Sequence, residues 1–261
     1  MNSICGKRYF LTIIISGILV FSCAGTKSTT ESRKIFRVEN RIVPIDTTLS
    51  PDFEMETFLR SYRSKVQNMM SEVIGFAAVD LTRGKPEAPL NNFVADLMLK
   101  RGKKEFSRSV DAALTNEGGL RVDIPAGPIT LGKIFEVMPF ENELVVLELT
   151  GAQLITLAKE IGEVGGEPIA GMRLEFLDNV LERCIIRGKT AIGDSIYYLV
   201  TTDYLSSPGR NRFKILSQAP KTLLGITVRD AIIDEIKELH KSGQPITKQI
   251  DGRIIFRRRL P

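Results

Sequence analysis

The sequence predicts an α+β domain, a mixed sheet sandwiched between helices. Three observations lead there. Four segments carry apolar residues at helical spacing and six carry short apolar or alternating runs, interspersed without a clean βαβ repeat. No fixed internal period marks a solenoid or a propeller. The hydrophobic fraction of 43% is near the globular norm of about 45–50%, which excludes disorder throughout the chain.

The 261-residue chain opens on a targeting pattern. Lys7 and Arg8 precede an apolar run over residues 10–21, and Ser22-Cys23-Ala24-Gly25 follows it. The run is shorter than the roughly 20 residues a membrane span needs. Its Leu-Val-Phe-Ser-Cys ending is similar to a bacterial lipobox. Residues 1–22 then form a lipoprotein signal peptide, and Cys23 is the lipidated new N-terminus. An ordinary signal peptide cut nearby, or a short uncut anchor, is the alternative. Residues 23–50, rich in Thr, Ser, Lys and Arg, read as a tether, in which Ile35-Phe36-Arg37-Val38 can pair as a strand. The expected location is the bacterial cell envelope, lipid-anchored, periplasmic or at the cell surface.

Residues 51–261 are expected to form the domain. Phe53, Phe58, Leu59, Tyr62, Val66, Met69 and Met70 recur at intervals of three and four, so residues 51–71 read as an amphipathic helix with Pro51 in its first turn. A strand follows over 73–81, then a helix over 90–99 whose face is Phe93, Val94, Leu97 and Met98. Residues 112–115 read as a short buried strand, and 143–149 as an interior one. A helix opens at Thr150-Gly151 and runs through Ile161. Strands near 172–176, 183–186 and 196–202 and a helix over about 228–239 complete the pattern.

Rare residue types and charge exclude several functions. The only histidine, His240, sits at the end of the last helical pattern, where a helix C-terminus favours a solvated cation. Hydrolytic metal centres usually draw on several His and carboxylate ligands, and Ser-His-Asp chemistry needs a placed His. Cys5 leaves with the signal and Cys23 is acylated, so Cys184 has no disulfide partner and reads as a buried strand thiol. Removing Lys7 and Arg8 takes the formal charge from +5 to +3, and Arg253, Arg257, Arg258 and Arg259 read as a basic tail on a body near −1. A nucleic-acid binder needs a basic stripe across its fold instead.

Two local patterns suggest a binding pocket. Gly118-Gly119 after a buried strand reads as a sharp turn or a backbone approach to a ligand. Arg121 beside it is either an ordinary surface residue or a guanidinium fork for phosphate or carboxylate. Phe140, between Pro139 and two acidic residues, and Tyr204, just past a strand end, each suit ordinary packing. Together they suit a base held between two rings.

Three segments carry a family resemblance. They are Ala112-Ala113-Leu114-Thr115-Asn116-Glu117-Gly118-Gly119-Leu120-Arg121 with Asp123-Ile124-Pro125-Ala126-Gly127-Pro128-Ile129-Thr130; Val137-Met138-Pro139-Phe140-Glu141-Asn142-Glu143-Leu144-Val145 running into Glu148-Leu149-Thr150-Gly151-Ala152-Gln153-Leu154; and Tyr197-Tyr198-Leu199-Val200-Thr201-Thr202-Asp203-Tyr204-Leu205. Over about residues 73–240 the chain resembles the C-terminal, nucleoside-recognising domain of the 5′-nucleotidases, and Pro89-Leu90-Asn91-Asn92-Phe93-Val94-Ala95-Asp96 is similar to that family's Gly-Asn-Leu-Ile-Ala-Asp helix. The resemblance implies that Phe140 and Tyr204 stack on the two faces of a nucleobase. It implies that Asn116 and Asn142 contact the base or line its pocket, that Arg121 meets the phosphate side, and that Gly165 packs near the base. Arg83 aligns with an upstream family arginine only after a one-residue shift.

The chain also departs from the family. Where the family's ribose-binding aspartate follows the second aromatic, Pro208-Gly209-Arg210-Asn211-Arg212 places Arg210, which donates but cannot accept hydrogen bonds. Glu117 replaces a smaller residue and adds a negative charge near the pocket. The family's two-metal phosphoesterase half, with its several His ligands, has no counterpart motifs here. The resemblance therefore implies a recognition component for nucleotide catabolism, carrying no catalytic residue, metal or cofactor itself, that acts with a separately encoded metallophosphoesterase holding two divalent metals. The alternative is a non-catalytic nucleoside- or nucleotide-binding lipoprotein. A metal-independent hydrolase would need a nucleophile–base pair, and none is evident.

Overall fold

The computed structural model describes residues 42, 45–46, 48–209 and 213–259. The signal segment, Cys23, the strand considered over 35–38 and the Arg210 turn lie outside them. In chain order the elements are α1 (Phe53–Met70), β1 (Val73–Ala77), α2 (Pro89–Glu105), β2 (Ala112–Leu114), β3 (Gly127–Thr130), α3 (Leu131–Val137), β4 (Glu143–Thr150), α4 (Gly151–Glu163) and β5 (Ile169–Ala170). Then come β6 (Met172–Leu177), β7 (Val180–Ile186), β8 (Lys189–Thr190), β9 (Ile196–Thr202), β10 (Lys221–Thr227), α5 (Val228–Lys241) and β11 (Ile254–Arg257).

The α+β expectation holds. A five-stranded mixed sheet, ordered β10-β4-β9-β2-β5, forms the centre, with β9 antiparallel to β4 and parallel to β2. Side chains alternate across a strand, and both faces of this sheet are covered. Leu144, Val146, Val200 and Ala113 face a core built with α2, α3 and α5. Val145, Leu147, Leu149, Leu199 and Leu114 face a second core made with α4 and the sheet β11-β6-β7-β8. That two-sided burial explains the nearly unbroken apolar run of β4. Thr150 caps α4 through a reciprocal box with Gln153, as its position before Gly151 suggests.

Several boundaries differ from expectation. Asp52 accepts from the Met55 N–H as the N-cap of α1, so Pro51 precedes the helix and is not in its first turn. The apolar stripe of α1 is real but uncovered: Phe53, Phe58, Tyr62, Val66 and Met69 are all exposed. β1 stops at Ala77, and Leu81 joins the fold by an isolated bridge to Ile124. α2 continues six residues past the expected end because Gly102 lies against β9, where an added Cβ would come 3.1 Å from Val200. Among the described residues no helix is long and apolar enough to cross a membrane. Cys184 is buried in β7, and burial pushes its thiol up to about 11. His240 is exposed in the last turn of α5, its ring 5.7 Å from that of Phe76.

The basic tail expectation is overturned at Arg253, while Arg257, Arg258 and Arg259 stay exposed. β11 pairs in parallel with β6, and Arg253 just before it is a latch with a side chain only 10% exposed. Its guanidinium donates to Asp251 and Asp96 and to the Ile169 carbonyl, each at 2.8 Å. The Glu87 carboxylate receives the Arg253 and Asp251 main-chain N–H groups at 2.9 and 2.7 Å, and the Asn92 amide at 2.6 Å. Arg257 faces Glu175, a buried carboxylate that also meets Arg173 and Arg183, and Arg259 pairs with Asp178. These charges have partners within the fold.

Arg253→Ala is expected to lower the unfolding free energy by about 2–3 kcal/mol, because a half-desolvated charged network loses its donor. Arg257→Ala, at an exposed pair, is expected to cost less than about 1 kcal/mol. Urea unfolding of the two variants checks the ranking. A hydrogen bond from Arg253 holds the Asp251 carboxyl below its ordinary value of 3.8. The wild-type advantage over Arg253→Ala is therefore present above that pH and lost as the pH falls below it.

Candidate functional site

The pairing of three central strands brings distant segments to one edge of the sheet. β2 and β9 are parallel, so Asn116 and Tyr204 leave at the same end; β4 is antiparallel, so Phe140 and Asn142 enter there. Asp203 closes the corner: its N–H donates to the Glu143 carbonyl at 2.9 Å, while its carboxylate accepts the Glu143 and Tyr204 N–H groups. The result is a cavity of about 220 Å³ lined by Asn116, Gly118, Gly119, Arg121, Phe140, Asn142 and Tyr204. Five of the six residues singled out from sequence as binding residues line it.

Gly165 is not among the lining residues. It sits at the end of α4 with φ +77°, a left-handed conformation glycine adopts without strain, and its Cβ position is 4.0 Å from Lys85 Cδ. The adjoining residues still bear on the site. Lys85 donates to the Val164 carbonyl at 2.8 Å and pairs with Glu167. Glu167, which is buried, accepts the Glu117 N–H at 2.6 Å and so holds the turn that carries Asn116 to Gly119. This turn is one round of 3₁₀ helix over Glu117–Gly119, and neither glycine takes a positive φ. The pair contributes space: a Cβ on Gly119 would lie 3.4 Å from the Asn116 amide.

Charge near the pocket is arranged differently from the sequence expectation. Glu117 does not leave a free negative charge, because Arg83 pairs with it at 3.1 Å and also donates to the Leu120 carbonyl at 2.9 Å. Arg121 stands apart: its guanidinium carbon lies over the Phe140 ring, 5.0 Å from the centroid. Phe140 itself is half-buried, packed against the larger core. Tyr204, just past the end of β9 at the same edge, is 37% exposed.

Arg229 is a residue that sequence reasoning missed. It is buried in the first turn of α5, stacked on Phe135 at 4.5 Å, and donates to Glu141 at 3.0 Å and to the Phe140 carbonyl at 3.4 Å. The adjacent Val228 N–H donates to the Asn142 carbonyl. Together they pin the loop that presents Phe140. A signal was available: an arginine two residues after the N-cap Thr227, in the first turn, opposes the helix dipole, so it needs another reason to be there.

Comparison with known proteins shows the family to which this fold belongs. The family model "5'-nucleotidase, C-terminal domain" matches residues 73–218. The trifunctional nucleotide phosphoesterase protein YfkN of Bacillus subtilis (strain 168) is 31% identical over 235 residues, covering 82% of this chain and 16% of that protein. The cell wall protein Lmo0130 of Listeria monocytogenes is 23% identical over 283 residues, covering 98% of this chain and 36% of its own length. A 5′-nucleotidase precursor from Thermus thermophilus superposes with a TM-score of 0.66 at 27% identity, covering 80% of this chain and 44% of that one. This chain thus spans less than half the length of each of these relatives. The chain belongs to the 5′-nucleotidase C-terminal domain family.

Proposed function

We propose that this domain recognises a nucleotide or nucleoside in the cavity at the sheet edge and supplies that recognition to a separately encoded metallophosphoesterase in nucleotide catabolism. The observation that carries the reading is the convergence of Asn116, Arg121, Phe140, Asn142 and Tyr204, from three separate segments, around one opening. The base stacks between Phe140 and Tyr204, with Asn116 and Asn142 offering amide donors and acceptors to its edge. Arg121 meets the phosphate as a charge-assisted donor. Gly165 shapes the neighbouring loop near the base. The chain itself performs no phosphoryl chemistry on this reading. Its single His and the missing counterparts of the family's metal-ligand motifs in the sequence support that assignment. The two divalent metals belong to the partner, where they would activate water. Display at the cell envelope through lipidated Cys23 is part of the proposal, supported by the lipobox-like sequence and by the cell wall protein among the relatives.

Three outcomes are expected. Phe140→Ala and Tyr204→Ala each weaken nucleotide binding by about 1–3 kcal/mol, roughly 5- to 150-fold in Kd, whereas Tyr204→Phe changes it little, since the ring face makes the contact. Isothermal titration with AMP checks this, and equal losses for the Ala and Phe variants at Tyr204 would reject the stacking role. The purified chain releases negligible phosphate from AMP with any divalent metal but raises turnover when a cognate metallophosphoesterase is added; robust release by the chain alone would refute the division of labour. Cys23→Ala shifts the protein out of the membrane fraction or leaves it unprocessed, read by fractionation and mass spectrometry of the N-terminus.

A further inference from the structure

We propose that Arg121 is a built-in occupant of the Phe140 ring face, so that the pocket selects anionic ligands over neutral ones by requiring that this side chain be drawn away. The inference rests on the nucleotide reading above and deepens it. Arg121 and Phe140 line the same cavity, and the guanidinium lies over the ring at a distance typical of a cation–π contact. Phe140 packs against the core and also lines the cavity, and the arginine lies over its ring. The other cations nearby are engaged elsewhere: Arg83 by Glu117 and the Leu120 carbonyl, Lys85 by Glu167, Arg229 by Glu141. Among the described ion pairs none includes Arg121. Its attraction to the ring is therefore the contact a ligand has to replace.

The consequence is a difference between ligand classes. A neutral nucleoside must displace the guanidinium to reach the ring and gives it nothing in return. A ligand bearing a phosphate or carboxylate offers two oxygens that accept from the planar fork, so the displaced arginine acquires a stronger partner. In equilibrium terms the free protein is partly in a state closed to bases, and apparent affinity falls by the fraction closed. Anions recover that fraction and neutral ligands do not.

The experiment is titration calorimetry of adenosine and AMP against wild type, Arg121→Ala and Phe140→Ala in the full chain, with thermal unfolding to verify folding. Arg121→Ala is expected to bind adenosine about 2- to 5-fold more tightly than wild type, the range of an exposed cation–π contact, and AMP at least about 10-fold more weakly. Adenosine binding that is unchanged or weakened in Arg121→Ala, with AMP still bound by wild type, overturns the occupant role and leaves Arg121 a phosphate contact only. If no variant binds either ligand, the nucleotide reading fails and the selection falls with it. A ligand-free readout separates the two cases. In the free protein the Arg121 side-chain protons should show an upfield ring-current shift in NMR that Phe140→Ala abolishes. Its absence overturns the proposal even where nucleotide binding is intact.

Discussion

The register of β9 between β2 and β4 is the constraint on which the rest of the structure depends. β9 pairs along its whole length with β4, from Leu144 opposite Thr202 to Thr150 opposite Ile196. It pairs with β2 only at Ala112 and Ala113. Because side chains alternate along a strand, a slip of one residue would exchange the two faces and move Leu144, Val146 and Val200 from one core into the other. The same slip would separate Tyr204 from Phe140 and Asn142. Two buried cores thus fix the register, and the register fixes the pocket.

The walls of that pocket are loops, yet they are held by buried polar contacts and not by apolar packing alone. Arg229 and Val228 at the start of α5 hold the Phe140–Asn142 loop, and Glu167 holds the 3₁₀ turn after β2. Charged groups in these places are costly unless paired, and each of them is. Hydrogen bonds also have direction, which apolar contacts lack, so they set the orientation of a loop as well as its position. Arg121 is the exception. It is exposed and rests on an aromatic ring, as the displacement proposed above requires.

How much of this the sequence shows depends on the range of the interactions involved. β4, β9 and α4 are legible because local pattern and tertiary burial agree: alternating apolar residues between two cores, and a Thr-Gly opening with Gln153 completing the cap. β10 carries mostly exposed residues, and β3 includes Pro128, so neither shows an apolar period. The end of α2 is obscured because Gly102 usually interrupts a helix, and the close approach of Val200 that requires it comes from a strand about a hundred residues away. Arg253 looks like part of a solvated basic run, and its partners Asp96 and Glu87 are equally remote. In the site, most lining residues could be found from motifs, whereas the contacts of Arg229, Glu167 and the Arg83–Glu117 pair could not, because each joins segments distant in sequence.

The size of the cavity bears on where chemistry takes place. At about 220 Å³ it is smaller than the about 300–1,000 Å³ of sites that enclose a whole small-molecule ligand. On the proposed reading it holds the base and leaves the phosphate near its mouth, beside an arginine able to reach outwards. An enzyme that hydrolysed the phosphate itself would need to surround the reacting group and exclude water from it. A recognition module has the opposite requirement, since the phosphate must stay accessible to a second protein. Binding of the remote base then accelerates the reaction only to the extent that it places the phosphate for that partner, and tight binding that did not position it would slow release without raising turnover. On that reading, a small pocket that holds anionic ligands more tightly than neutral ones is suited to that task.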